Sequence, residues 1–301
     1  MQPKRGPVRA IQNKSRALGG EMNGTFNPIE YKNSESRLYS GIAGSYHQYA
    51  PKAFGGFIEP LMEMAGLQKG QRVLDLGTGT GQVALAAARL VGDSGKVIGL
   101  DIAPGLIKKA KEQAEISGLS WVEFVQGDAE QLHFADESFD IVLCHFGLMH
   151  FPDRDKALTG MQRVLKKGGR VVLSVWSTSE KMRVLGIVTA KIKEVFPEII
   201  QPGAPGWFDF GSLGSLEVAL SKVGFKNIKT MRLNKPLTVQ DAEAYWRILT
   251  GVSGRLQVLL EKIPAEIAAR IETETKQAAQ SYQSSNGLSI PCEAVIGTGI
   301  K

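Results

Sequence analysis

Three aspartates and a run of glycines are the residues of this 301-residue chain best suited to chemistry. Asp75 stands in Val73-Leu74-Asp75-Leu76-Gly77-Thr78-Gly79-Thr80-Gly81, and Asp101 ends the apolar run Lys96-Val97-Ile98-Gly99-Leu100. Asp128 follows Val122-Glu123-Phe124-Val125, in Gln126-Gly127-Asp128-Ala129. Glycine at a strand-to-helix turn leaves a ligand free to approach the backbone, where a Cβ would block it. Free N–H groups at the start of the next helix favour a negative or polar ligand group. A carboxylate twenty positions beyond Gly81, which is where Asp101 stands, suits the two hydroxyls of a ribose. Asp75, inside the turn, would repel a pyrophosphate and suits an ammonium group instead. The pattern is that of a nucleotide-binding turn whose ligand also carries a cation.

These side chains can serve one ligand only if separate strands deliver them to one edge. Strands are predicted near 72–76, 96–101, 121–126, 139–144 and 169–176, with helices between them. Gly168-Gly169 supplies the turn into the fifth. Such βα alternation predicts a mostly parallel, doubly wound sheet covered on both faces. Three successive strands then end in Asp along the edge where open α/β sheets bind ligands. Ahead of them, Tyr39–Ala50 and Phe54–Ala65 read as helices, and residues 1–36 as a flexible basic segment. After Trp176, a helix over about 181–196 leads to the loop Pro202–Phe210, then a helix over 212–223 and a strand over 226–233. Residues 238 to about 284 read as helical, and 291–298 as the last strand.

The glycine turn, the three strand-end acids and the order of elements over about 38–235 resemble the class I S-adenosylmethionine-dependent methyltransferases. The nearest likeness is to the small-molecule branch that includes the ubiquinone and menaquinone methyltransferases. That resemblance implies a Rossmann-like fold over residues 37–301, a seven-stranded mostly parallel sheet with an N-terminal helical lid. The helical stretch at about 238–285 separates the last two strands, normally a hairpin in the family, and reads as an insertion. It would serve as a substrate-facing cap or as the surface of a homodimer. Carried over position by position, the resemblance implies S-adenosylmethionine as cofactor. Asp75, Thr78 and the backbone of Gly77, Gly79 and Gly81 would hold its methionine moiety. Asp101 would hold the ribose, Ile102 would lie against the adenine, and Asp128 and Ala129 would meet its amino group and ring. Tyr46, and with it Tyr39, would reach the methionine end from the lid, where an aromatic face also attracts a sulfonium.

A sulfonium methyl is already activated, so the protein chiefly holds the nucleophile in line. A general base adds roughly 10²–10⁴-fold where the acceptor is a hydroxyl or a protonated amine. The candidates stand in Cys144-His145-Phe146-Gly147-Leu148-Met149-His150-Phe151, at the end of the fourth strand. His145, where the family more often has a small polar residue, is the better candidate base and also neighbours the cofactor. His150 precedes Phe151-Pro152-Asp153, a position where the branch often carries His, and reads first as packing of that turn. His133 and His47 rank behind them. Trp207, Phe208, Phe210 and Trp246 are candidates to line an apolar acceptor pocket.

Composition narrows the rest. A hydrophobic content of 43% supports a large core, and a net charge of +6 is mild at this length. Lys4, Arg5, Arg9, Lys14 and Arg16 precede the first acid, Glu21. Two cysteines, Cys144 and Cys292, offer neither a disulfide framework nor a thiolate metal site, and the default compartment is cytoplasmic. No apolar stretch is long enough for a membrane span. No basic stripe interleaved with aromatics marks a nucleic-acid surface, and no Asp/Asn-Pro-Pro-Tyr/Phe motif follows the fourth strand. What remains is O-, N- or C-methylation of a small organic molecule.

Two rival readings stay open. The turn can be parsed as Gly79-x-Gly81-x-x-Ala84, a dinucleotide fingerprint, which would make this an NAD(P)-dependent oxidoreductase of the short-chain type. Against it, no Tyr is followed four positions later by Lys, and Asp75 would face a pyrophosphate. The third reading is a noncatalytic cofactor-binding protein, since a fold does not by itself prove activity.

Overall fold

The computed structural model describes residues 26–195 and 203–301. Its first elements are α1 (Pro28–Gly41), α2 (Ala43–Phe54) and α3 (Ile58–Ala65). The alternating part follows as β1 (Arg72–Leu76), α4 (Gln82–Val91), β2 (Lys96–Asp101), α5 (Pro104–Ser117), β3 (Val122–Gln126), β4 (Phe139–His145), α6 (Arg154–Val164) and β5 (Leu165–Trp176). Then come α7 (Arg183–Val195), α8 (Ser215–Lys222), β6 (Lys226–Asn234), β7 (Leu237–Val239), α9 (Ala242–Val252), α10 (Gly254–Lys262) and α11 (Ala265–Ala279). The last are β8 (Gln283–Ser284), β9 (Gly287–Ile290) and β10 (Glu293–Ile300).

Seven strands form the main sheet in the order β3-β2-β1-β4-β5-β10-β6. The first five pair in parallel, and β10 runs antiparallel between β5 and β6. Every residue of β1 after Arg72 is buried, as expected of a strand covered on both faces. Strand order reverses between β1 and β4, which opens a crevice at their carboxyl ends. The seven-stranded, doubly wound architecture is therefore as the alternation predicted.

Two expectations need correction. The flexible segment was expected to run to residue 36, but a helix begins at Pro28; residues 1–25 lie outside those described. The side chain of Asn27 caps that helix, accepting from the N–H groups of Ile29 and Glu30 at 3.0 and 3.3 Å, with Pro28 at the first helical position. The insertion is also not continuously helical. Ser253 closes α9 and caps α10 through Leu256 N–H, and Pro264 starts α11. Short strands at its two ends, β7 and β8, each pair with β9 in a second sheet of three strands. Ser285-Asn286 makes the β8–β9 turn, and Gly287, at φ +103°, opens β9 opposite Ser284.

α1 is held between the sheet domain and the insertion. A Cβ on Gly105 of α5 would stand 2.6 Å from the carbonyl oxygen of Ser40, and one on Gly254 of α10 would stand 3.2 Å from Leu38 Cβ. Missing side chains on both flanks thus let α1 seat closely. Among the described residues no helix is long and apolar enough to cross a membrane.

Candidate functional site

The turn after β1 is built on three left-handed glycines, Gly77 (φ +66°), Gly79 (φ +57°) and Gly81 (φ +86°). Their N–H groups are used inside the protein. Gly77 donates to Leu100 O at 2.8 Å, Gly79 to Asp101 Oδ2 at 2.9 Å and Gly81 to Thr78 O at 2.9 Å. The glycines therefore shape the site by leaving space, with their N–H groups committed elsewhere. Gly77 and Gly79 line the main cleft. Gly81, expected among the ligand contacts, lines none of the cavities described below; a Cβ there would stand 2.7 Å from Phe124 Cζ, so it serves packing.

The cleft opens at the strand ends. Asp101, Ile102, Asp128, Ala129, Tyr46 and His145 all line it, so the residues expected from separate strands and the N-terminal segment do converge. Asp101 accepts from Gly79 N–H at 2.9 Å and Ala103 N–H at 2.9 Å, one on each oxygen. Burial raises its pKa against those two bonds. Asp128 accepts from Lys32 Nζ at 2.7 Å and from Glu130 N–H at 2.9 Å.

A smaller cavity adjoins Tyr46 and is lined by Asp75, Thr78, Thr80, Gln82 and His145 among others. Four of its polar atoms are buried without a partner: Asp75 Oδ1, Thr80 Oγ1, Gln82 Nε2 and His145 Nε2. Asp75 Oδ2 accepts from Thr78 Oγ1 at 2.6 Å. Burial lifts the Asp75 pKa to about 7, with the Asp101 charge adding to it and the Thr78 bond opposing. A buried acceptor, two hydroxyl or amide groups and an imidazole left unpaired in one place are costly unless a ligand completes them. They match a zwitterion, with Asp75 for its ammonium and the amide of Gln82 for its carboxylate.

A third space is apolar, with Phe54, Trp176, Met182, Leu185, Trp207 and Leu249 in its wall. Of the aromatic candidates only Trp207 lines it; Phe208, Phe210 and Trp246 do not. Phe210 instead packs under the Arg154 guanidinium, 5.2 Å from its ring centre. Phe146 separates this chamber from the cleft. It holds φ +57°, rare for a non-glycine residue, because its N–H bonds Ser174 O and Oγ at 3.0 and 3.1 Å and its ring stacks on Trp176 at 3.6 Å.

The two histidines occupy different places. His145 Nδ1 meets Ser174 Oγ at 2.7 Å, its ring faces the cleft and the small cavity, and burial pushes its pKa down to about 4. It does not line the apolar chamber. His150 lines both the cleft and the chamber. Its Nδ1 lies 3.0 Å from Glu35 Oε2, and its ring packs edge-on against Tyr39 at 5.7 Å.

Sequence reasoning missed Lys32, Glu35, Thr80 and Gln82. For the first two a signal existed: Asn27-Pro28 followed by Glu30 marks a helix start. Gln82 and Thr80 carry no such mark, because only their burial beside Asp75 makes them notable.

Residues 67–209 match the model of a methyltransferase domain. Over 117 residues the chain is 43% identical to the ubiquinone/menaquinone biosynthesis C-methyltransferase UbiE of Escherichia coli, covering 38% of this chain and 47% of that protein. The same figures hold for UbiE of Cronobacter sakazakii; the chain spans about half the length of the curated relatives it matches. Among solved structures it superposes on the YcgJ protein of Bacillus subtilis with TM-score 0.58 and 26% identity, covering 82% of this chain and 98% of that one. A phosphoethanolamine N-methyltransferase 2 of Haemonchus contortus, solved with S-adenosyl-L-methionine, shares the fold with TM-score 0.58 at 20% identity, covering 92% and 60%.

Proposed function

Because this chain carries a class I methyltransferase domain, we propose that it transfers a methyl group from S-adenosylmethionine to a small, largely apolar organic acceptor. The observation that carries this reading is the set of four unpartnered polar atoms around Asp75, next to a cleft that runs past Asp101 to Asp128. In this reading Asp75 Oδ1 takes the ammonium of the methionine end, and Gln82 Nε2 and Thr80 Oγ1 take its carboxylate. Asp101 holds the ribose through the lone pairs that its two backbone bonds leave free. Ile102 and Ala129 contact the adenine, and Asp128 receives its amino group beside Lys32. When bound, the cofactor supplies an activated methyl on a sulfonium.

His145 belongs to the cofactor side. Its burial keeps it neutral, and Ser174 orients it, so its free Nε2 serves as a fixed polar contact. His150 is the better base, which reverses the order expected from sequence, because it alone of the two stands where cleft and apolar chamber meet. Tyr39, Tyr46 and Phe146 share that junction and confine the acceptor. Among the described residues the chamber wall carries no carboxylate, lysine or arginine, which favours a neutral acceptor.

Calorimetric titration with S-adenosylhomocysteine, with NAD(H) and NADP(H) in parallel, tests the reading. Micromolar binding of the first alone is the expected result. Binding of a nicotinamide cofactor alone would overturn it and restore the oxidoreductase alternative.

A further inference from the structure

We propose that Glu35 is a positioning residue that sets His150 as the base of the site; this rests on the methyl-transfer reading above. Glu35 is 6% exposed and sits in α1, while His150 follows β4. An ionised carboxylate only accepts hydrogen bonds. Its Oε2, 3.0 Å from His150 Nδ1, therefore places the ring proton of the neutral imidazole on Nδ1. Nε2 is left with its lone pair free. Tyr39, also on α1, packs edge-on against the ring and limits its rotation.

The consequence is chemical. Transfer forms a bond between an oxygen, nitrogen or carbon of the acceptor and the methyl carbon, breaks the sulfur–carbon bond, and sends the acceptor's proton to His150 Nε2. That nitrogen can receive it only in the Nδ1–H tautomer. The carboxylate then faces an imidazolium, a pairing that Glu35 stabilises after the proton has moved. His145 lacks such a partner: it has a hydroxyl on Nδ1, and no carboxylate bonds its ring.

Helix α1 also carries Lys32, three residues before Glu35, which bonds Asp128 at 2.7 Å and Glu130 at 2.8 Å. Residues three apart share a helix face. The same face thus touches the outer end of the cleft through Lys32 and the transfer junction through Glu35. Correct seating of α1 over the cofactor cleft and correct orientation of the base are one event.

The test is nitrogen-15 NMR of histidine-labelled, ligand-free protein, with the His150 signals assigned by a His150→Asn variant. The expected spectrum above neutral pH shows a protonated Nδ1 and an unprotonated Nε2. In Glu35→Gln, which keeps the shape of the side chain, and in Glu35→Ala, the population should move toward Nε2–H. An Nε2–H tautomer in the unaltered protein, or a spectrum unchanged in both folded variants, would overturn the proposal. Circular dichroism establishes that the variants are folded. Calorimetry with S-adenosylhomocysteine is run on the same samples. Failure of the unaltered protein to bind it would sink the methyl-transfer reading on which the proposal rests, and the tautomer measurement distinguishes that failure from a misplaced Glu35.

Discussion

Burial lifts the Asp75 carboxyl to a pKa of about 7, with the Asp101 charge reinforcing it. The folded value lies above the unfolded one, so the stabilising contribution of its neutral form is present at acid pH and lost as pH rises through about 7. A ligand ammonium acts in the opposite direction, because it needs the charged carboxylate. Binding of S-adenosylhomocysteine should therefore tighten as pH rises, by about tenfold between roughly pH 6 and pH 8 if only the carboxylate form binds. Asp75→Asn should weaken binding and flatten that dependence in calorimetric titrations across the range. His145, held near 4, contributes no step in this window. Gln82 makes a second prediction. If its unpartnered Nε2 meets the ligand carboxylate, Gln82→Leu should cost about 1–3 kcal/mol of binding, while affinity for adenosine stays unchanged. Equal loss for both ligands would place Gln82 outside the methionine end.

At the scale of the element, α1 decides how the site closes. It packs so near α5 that a Cβ on Gly105 would overlap the Ser40 backbone, and backbone cannot step aside as a flexible side chain can. Gly105→Ala should therefore lift α1. The expected signs are faster proteolysis within 28–41 and weaker binding of S-adenosylhomocysteine, with the melting temperature of the sheet domain nearly unchanged. Unaltered proteolysis would mean that α1 is held elsewhere, through Lys32 or α10. Only the end of this element was read in advance, Tyr39 and Tyr46 being assigned to a lid by resemblance; the start at Asn27-Pro28 was missed. Its function was not, since only the fold brings Lys32 and Glu35 against Asp128 and His150, which lie 96 and 115 positions away along the chain.

Over the whole molecule, the insertion and the sheet share one hydrophobic core. Leu237, Val239, Tyr245, Ile248 and Leu249 belong to the same buried cluster as Leu74, Val142 and Trp176. Tyr245 is fully buried and donates to Val184 O at 2.7 Å. Tyr245→Ala should cost about 3–5 kcal/mol, and the protein should still unfold in a single transition, followed alike by circular dichroism and tryptophan fluorescence. Separate transitions would show that the insertion melts as its own unit.

Near-neighbour patterns along the chain sufficed for the β–α alternation, the glycine turn and the three strand-end acids, because each depends on a period, a turn or a fixed spacing within a few tens of residues. Together with the family resemblance they singled out Asp75, Asp101, Asp128, His145 and His150 as candidates. Other matters required the tertiary structure. The insertion is helical over most of its length, as read, but its edge strands were missed, because β7 pairs with β9 across some fifty residues and strand pairing at that distance leaves no local periodicity. Which histidine stands at the junction, and which acid orients it, depended on bringing α1 over the end of β4. Burial and orphaned polar atoms are properties of that packing, and no spacing along the chain encodes them.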